Sequence, residues 1–169
     1  MTVITTCSPR NFTLVKNLGA DEAFDYNDSS CGRKIRDYTA DKLKHAMDTI
    51  SIDASAKLCA DALSTSGGIY SALEPIECPR KDIESKNTLA YLATGEPLTD
   101  YGRAASKEDF DFGVMFWKLA GQLLEQGKFK VHPPSVQPNG LKGVLDGMQE
   151  MREGKVSGVK YVYRIADTP

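Results

Sequence analysis

The chain has 169 residues, enough for one domain with a hydrophobic core. Its composition is 41% hydrophobic and 26% charged with a net charge of −2, which excludes a disordered chain and a strongly basic nucleic-acid binder. No run approaches the roughly 20 apolar residues that a membrane-spanning helix needs. The N-terminus shows no signal-peptide pattern, so we expect a cytoplasmic protein without membrane attachment.

Strand-like and helix-like segments alternate along the chain. Short β-branched or alternating runs predict strands at 2–7, 23–26, 45–50, 69–73, 88–94, 131–136 and 159–165. Apolar residues at helical spacing, together with capping residues, predict helices at 9–18, 29–38, 54–63, 107–126 and 141–151. The polar segments 75–86 and 97–106 are predicted loops, and the apolar stripe of helix 107–126 is expected to pack in the core.

This alternation predicts βαβ units and a mostly parallel sheet in a single α/β domain over 1–169. A doubly wound nucleotide-binding fold carries a glycine-rich turn after its first strand, yet this sequence has neither a GxGxxG motif nor a P-loop. Gly67-Gly68 follows a helix and is expected to form a turn. The sequence therefore predicts the α/β class without a complete phosphate-binding motif.

The chain offers few candidate catalytic or metal-binding residues. Its cysteines have none of the short spacings of zinc sites and are expected to be reduced: Cys7, Cys31, Cys59 and Cys78. His45 and His132 have no partners that suggest a triad or a metal site. Tyr38 and Lys42 have the spacing of a tyrosine/lysine proton-transfer pair, but a solvated helix end is the better interpretation. We therefore predict no catalytic residue and no metal ligand.

The turn Ser8-Pro9-Arg10-Asn11 follows the first predicted strand. If that strand is the second of a dinucleotide-binding sheet, its end faces the adenosine ribose, where a carboxylate selects NAD. Here a hydroxyl, a guanidinium and an amide stand instead, which suits a 2′-phosphate at a helix N-terminus. An ordinary helix start with a solvated arginine explains the same residues equally well.

Several segments together resemble a known family. They include the turn at 8–11 and the Gly-x-x-Ser-Gly pattern at 154–158, with further matches at 5–7, 12, 18–21, 24–26, 35–39, 73–75, 101–103, 116–123 and 147–148. The chain resembles medium-chain dehydrogenases/reductases, and among them the trans-acting enoyl reductases of fungal polyketide pathways. The resemblance runs along the whole chain but covers only the C-terminal part of such enzymes.

The resemblance implies a set of binding residues. It places the 2′-phosphate of NADPH at Ser8, Pro9, Arg10 and Asn11, and the adenine near Tyr26. It places the nicotinamide half beside Leu73 and Glu74, where relatives often carry a neutral amide in place of the glutamate. Ser157 and Gly158 would complete the cofactor site. The residues implied to line the substrate side are Tyr91, Leu92, Ala93, Thr94 and Gly95.

The resemblance also implies what the chain lacks. The GroES-like catalytic domain and the first cofactor-binding strand, which is central in the order 3-2-1-4-5-6, have no counterpart here. We therefore expect a partial Rossmann-type sheet with two unpaired inner edges, open to self-association, in a truncated gene product or an incomplete gene model.

The resemblance implies that enzymes of this family use NADPH to reduce a carrier-bound polyketide and act together with a polyketide synthase. It also implies that the full-length enzymes are monomers. Hydride would pass to the β-carbon of an α,β-unsaturated thioester, and a proton to the α-carbon. Without the catalytic part we expect no turnover. The alternative is a non-catalytic α/β module that binds a protein partner such as a polyketide synthase.

Overall fold

The computed structural model describes residues 2–87 and 89–169. The chain divides into two compact units, Met1–Gln122 and Leu123–Pro169. Within the described residues, no helix is both long enough and apolar enough to cross a membrane.

The first unit alternates strands and helices. In chain order they are β1 (Ile4–Thr6), α1 (Phe12–Asn17), β2 (Glu22–Phe24), α2 (Cys31–Tyr38), β3 (His45–Asp48), α3 (Asp53–Ala62), β4 (Gly68–Ala72), β5 (Ile83–Asn87) and α4 (Lys107–Glu125), whose last residues belong to the second unit. Short 3-10 helices lie at Pro9–Asn11, before α1, and at Ala90–Thr94.

Two separate parallel sheets form in this unit. Strand β1 pairs with β2, whereas β3, β4 and β5 form a three-stranded sheet in that order. The Val3 carbonyl accepts from Asp21 and Glu22, and the Cys7 amide donates to Phe24, so the backbone groups of Ile4 and Thr6 point away from β2. In the same alternating way, the backbone carbonyls of Lys44 and Asp48 accept hydrogen bonds from the amides of Ile69 and Leu73 on the β4 side. The backbone groups of His45 and Met47 therefore point to the opposite edge of β3.

Neither of these edges, on β1 or on β3, pairs with another strand within the described residues. Strands two and three of a doubly wound sheet would pair in this way on one side of the first strand, and strands four to six on the other. The prediction of a partial Rossmann-type sheet is confirmed.

The buried core lies between α3 and the three-stranded sheet. Leu63 and Tyr70 are fully buried, and the cluster around them consists of Ala56, Ala60, Ala72, Cys78 and Ile83. A smaller cluster joins α2 to α3 through Cys31, Ile35 and Ala62. The two helices approach closely at Gly32, where a Cβ atom would lie 2.6 Å from that of Asp61.

The second unit is small. It contains β6 (Pro134–Gln137), α5 (Val144–Arg152) and β7 (Lys160–Tyr163), with β6 and β7 paired in parallel. Helix α5 lies against β7 at Gly147, where a Cβ atom would come within 1.8 Å of the Tyr163 hydroxyl. Only glycine allows this contact without a rearrangement.

Most predicted elements are confirmed, but one strand was misplaced. The predicted strand at 88–94 is wrong: Ala90–Thr94 is a 3-10 helix, and Thr88 lies outside the described residues. The strand lies at Ile83–Asn87, partly inside the predicted loop 75–86. Only Ile83 of that strand is buried, so the segment carries no alternating pattern, and pairing with β4 is what makes it a strand.

One further expectation was wrong. The apolar stripe of α4 is not core in this chain, since Phe112 is 61% exposed and Phe116 50%. The interpretation of Tyr38 as part of a solvated helix end is confirmed: α2 ends at Tyr38, which is 53% exposed, and the following Ala40 and Asp41 have positive φ, so Lys42 lies outside the helix. The Tyr38 ring packs edge-on against Phe24 at 5.8 Å.

Candidate nucleotide-binding site

The turn after β1 is a compact polar corner. Pro9 starts a 3-10 helix, which its fixed φ favours, and Ser8 stands before it in an extended conformation. The Ser8 side chain does not cap this helix; its Oγ lies 3.1 Å from the Tyr26 hydroxyl. The structure therefore brings together two predicted site residues from the carboxyl ends of adjacent parallel strands, the edge where α/β sheets bind ligands.

Arg10 gives this corner its positive charge. The residue is exposed, and no ion pair among the described residues engages it. The turn itself has no carboxylate, and the Asp25 carboxylate at the end of β2 accepts hydrogen bonds from the Asn27 backbone and side chain at 2.9 Å. Because α1 has only six residues, its dipole adds little. A hydroxyl pair beside an available guanidinium fits a phosphate monoester.

A cleft of about 230 Å³ adjoins this corner, lined by Pro9, Phe12, Ala23, Phe24, Asp25, Asp28, Cys31 and Lys34. Hydrogen bonds from Lys34 and Ser30 hold the pKa of Asp28 well below its usual range, so this carboxylate is ionised and already paired. Burial, followed by the charge of Asp28, raises the pKa of the Cys31 thiol. Asp28 and Cys31 thus offer the cleft neither an unpaired acid nor a reactive thiolate.

A second polar cluster lies at the carboxyl ends of β3 and β4, centred on Asp48, which is 3% exposed. Its Oδ1 accepts from the amides of Ile50 and Ser51 at 3.0 and 2.9 Å. Its Oδ2 accepts from the hydroxyls of Ser55 and Tyr70 at 2.7 and 2.8 Å. Burial opposes ionisation, but these four donors outweigh it and lower the pKa of Asp48.

This cluster was not predicted from the sequence. A carboxylate at the end of a strand, followed by serines, was the available signal, but strand 45–50 was only weakly patterned and no carboxylate pair stood beside it. The cluster includes Ser51, whose Oγ accepts hydrogen bonds from the backbone amides of Leu73 and Glu74 at 3.0 and 3.2 Å. These are the two residues predicted to lie beside a nicotinamide, and both side chains are exposed.

The residues predicted for the substrate side form the 3-10 helix Ala90–Thr94 and its left-handed end at Gly95. Tyr91 is 65% exposed, whereas Leu92 is 5% exposed and so offers little surface to a ligand. Thr94 Oγ1 donates to the Tyr91 carbonyl at 2.8 Å. Ala93 packs so closely against α4 that a Cβ atom at Gly113 would lie 2.8 Å from its own.

Ser157 and Gly158 lie in the second unit, immediately before β7. Gly158 has φ +68, a left-handed conformation that favours glycine. Their role in a cofactor site stays a prediction. No cluster of metal-ligating side chains occurs among the described residues.

Comparison with known proteins places these observations in a family, although no family profile matches the chain. A dual trans-enoyl reductase/FAD-dependent monooxygenase of Aspergillus terreus is 51% identical over 156 residues, covering 90% of this chain and 22% of that protein. A trans-enoyl reductase of Alternaria alternata is 45% identical over 164 residues, covering 96% and 48%. The enoyl reductase component of lovastatin nonaketide synthase, from Aspergillus terreus, is 39% identical, covering 96% and 46%. The chain thus spans about half or less of these relatives' length.

Solved structures agree on the fold. The chain superposes on a quinone oxidoreductase of Pseudomonas syringae with a TM-score of 0.67 at 18% identity, covering 95% of this chain and 49% of the other. It superposes on the CurF enoyl-reductase cyclopropanase of curacin A biosynthesis with a TM-score of 0.63 at 16% identity, covering 93% and 46%. Over the part that they share, the chain is similar to the fungal trans-enoyl reductases, and its fold is the Rossmann-type fold of the medium-chain dehydrogenases/reductases.

Proposed function

We propose that this chain is the cofactor-binding part of an NADPH-dependent trans-acting enoyl reductase from a fungal polyketide pathway. The named relatives are trans-enoyl reductases, and lovastatin nonaketide synthase includes an enoyl reductase component. A polyketide synthase is therefore the proposed partner, and its carrier-bound enoyl thioester the proposed substrate class.

The observation that carries the proposal is the polar corner of Ser8, Arg10 and Tyr26. Two hydroxyls lie 3.1 Å apart at the carboxyl edge of β1 and β2, and the exposed Arg10 follows Ser8 by two residues in the same turn. A 2′-phosphate adds negative charge that Arg10 would neutralise, whereas the free 2′-hydroxyl of NADH would leave Arg10 without a partner. The corner therefore favours NADPH over NADH.

Each remaining predicted residue keeps a proposed role. Pro9 and Asn11 shape the phosphate corner, and Leu73 and Glu74 border the nicotinamide half. For Ser157 and Gly158 the proposed role is contact with the cofactor. The exposed part of the 3-10 helix Ala90–Thr94 borders the substrate. When bound, the cofactor supplies the hydride for the reduction. We assign no catalytic residue to this chain and expect turnover only in the presence of the part of the relatives that it does not match.

A non-catalytic, protein-binding module is the second candidate function. It is favoured by the exposed aromatic residues of α4, where Phe112 stacks on Phe116 and Trp117 is 72% exposed. Exposed apolar surface of this kind marks protein interfaces. The two functions differ in cofactor preference, because a module of this kind has no reason to distinguish NADPH from NADH.

Thermal unfolding of the purified chain tests the proposal, since a ligand that binds only the folded state raises the melting temperature. We expect NADPH to raise it, NADH to raise it less, and Arg10→Ala to abolish the difference. Arg33→Ala, which removes an exposed arginine of α2, is the matched control and should keep the wild-type response. Equal responses to both cofactors would favour the second candidate.

A further inference from the structure

The cluster around Asp48 lies where ligands bind in parallel α/β sheets. Asp48 ends β3, and Leu73 directly follows β4, its neighbour in the sheet. The carboxyl ends of adjacent parallel strands form the ligand-binding edge of such sheets. The cluster therefore supports the backbone at the edge of this sheet where ligands of α/β folds bind.

Ser51 is the link between the two strands. Its Oγ donates to the Asp48 carbonyl at 3.0 Å and accepts from the amides of Leu73 and Glu74. These two amides lie just beyond the end of the β4 ladder, where strand pairing satisfies backbone groups only partly. Ser51 is itself 5% exposed, so water does not replace it easily. The Ser51 hydroxyl thus accepts from both amides, sharing the Leu73 amide with the Asp48 carbonyl, which lies 3.3 Å from it.

Asp48 in turn holds Ser51 in place. Ser51 has φ +57, a conformation that is unfavourable for a non-glycine residue. The Asp48 carboxylate stabilises it by accepting from the Ser51 amide and from the Ile50 amide before it. All of the carboxylate's strong acceptor positions are occupied by neighbouring donors, so Asp48 is not available to a ligand. Its role is to position other residues.

We propose that Asp48 and Ser51 form a positioning pair that fixes the Leu73–Glu74 backbone for the nicotinamide half of the cofactor, an inference that rests on the proposed function. Ser51 is a positioning residue, since it acts through Leu73 and Glu74. Its loss weakens binding of the whole dinucleotide and spares binding of the adenosine half, which the Ser8–Tyr26 corner holds.

The test uses Ser51→Ala and Ser51→Gly in the full chain. Both remove the hydroxyl, but glycine also relieves the positive φ, so the second variant remains informative if the first does not fold. Ser64→Ala is the matched control, because Ser64 is a fully buried serine before the opposite end of β4 and its Oγ bonds Ser66. The readouts are amide hydrogen exchange at Leu73 and Glu74, and affinities for NADPH and for adenosine 2′,5′-bisphosphate.

Both Ser51 variants should exchange the Leu73 and Glu74 amides about tenfold faster and bind NADPH about tenfold more weakly, the size expected for one lost buried hydrogen bond. Binding of adenosine 2′,5′-bisphosphate should stay within about twofold, and Ser64→Ala should change none of these readouts. Unchanged exchange, or equal weakening of both nucleotides, would overturn the positioning role. A wild-type chain that binds neither nucleotide would overturn the proposed function itself, and with it the assignment to the nicotinamide half.

Discussion

The two sheets of the first unit differ in what holds them together. Strands β1 and β2 have three residues each, and only Ala23 among these six is buried. The sheet of β3, β4 and β5 packs Tyr70 and Leu63 out of contact with water and buries the fully bonded Asp48. The larger sheet therefore provides the stability of the unit, while the smaller one carries the exposed polar corner that we propose distinguishes NADPH from NADH.

This division has a physical basis. A 2′-phosphate is a charged, strongly hydrated group, so the residues that bind it must remain near solvent and add little to the core. The end of β3, by contrast, is buried by α3 and can use a carboxylate only when every oxygen has a partner. Substitutions should thus separate the two regions: those in the larger sheet should lower stability, and those in the smaller sheet should change ligand preference.

The largest effect is expected from Leu63→Ala. The side chain is fully buried, so its loss should lower the free energy of unfolding by about 2–5 kcal/mol. Leu18 lies next to the smaller sheet and is 38% exposed, so Leu18→Ala should lower the free energy of unfolding by less than about 1 kcal/mol. Urea denaturation of both variants measures the comparison. Equal losses would contradict the assignment of stability to the larger sheet.

Asp48→Asn should lower the free energy of unfolding by about 1–3 kcal/mol at neutral pH, because the amide nitrogen cannot accept from Ser55 and Tyr70. The pKa of Asp48 in the folded chain lies below its ordinary value of 3.8, so its contribution is complete above that pH and is lost as the pH falls through the folded value. Denaturation curves between pH 7 and strong acid should show wild type losing more stability than the variant. An equal loss of stability in wild type and Asp48→Asn as the pH falls would contradict this role of the Asp48 carboxylate.

Arg80→Ala should lower the free energy of unfolding by about 1–2 kcal/mol. Its guanidinium donates to the carbonyls of Ala60, Leu63 and Ser64 at 2.8 to 3.0 Å and so satisfies the buried C-terminal end of α3. Arg36 donates to the carbonyls of Leu63 and Ala60 at 3.1 Å, and Arg36→Ala should lower the free energy of unfolding by less than Arg80→Ala does. Thermal melts of the two variants rank them. The reverse order would show that Arg36 is the main cap.

The smallest effect on stability is expected from Tyr26→Phe. It removes the hydroxyl beside Ser8 from a residue that is 52% exposed, so the free energy of unfolding should change by less than about 1 kcal/mol. NADPH affinity should nevertheless fall by a few-fold, while NADH affinity should not change. Titration with each cofactor tests this, and an equal change for both would remove Tyr26 from the phosphate corner.

The sequence predicted those elements whose own residues show a local pattern, such as capping residues or apolar spacing. Capping residues and apolar spacing placed α1, α3 and α4 within about a turn, and the turn after β1 was recognised from its hydroxyl, guanidinium and amide. Strand β5 was missed because pairing with β4, and not its own sequence, makes it extended. The link from Ser51 to Leu73 spans 22 positions and depends on sheet register, which no local pattern reports. The exposure of α4 likewise depends on what the rest of the fold covers.

We propose that the corner of Ser8, Arg10 and Tyr26 recognises a 2′-phosphate. The most direct measurement of this recognition is calorimetric titration of the chain with adenosine 2′,5′-bisphosphate and with 5′-AMP, which differ only in that phosphate. We predict that the bisphosphate binds at least about tenfold more tightly, since a charge-assisted contact is worth about 1.5–3 kcal/mol, and that Arg10→Ala removes the difference. Equal affinities for the two nucleotides in the wild-type chain would contradict the account.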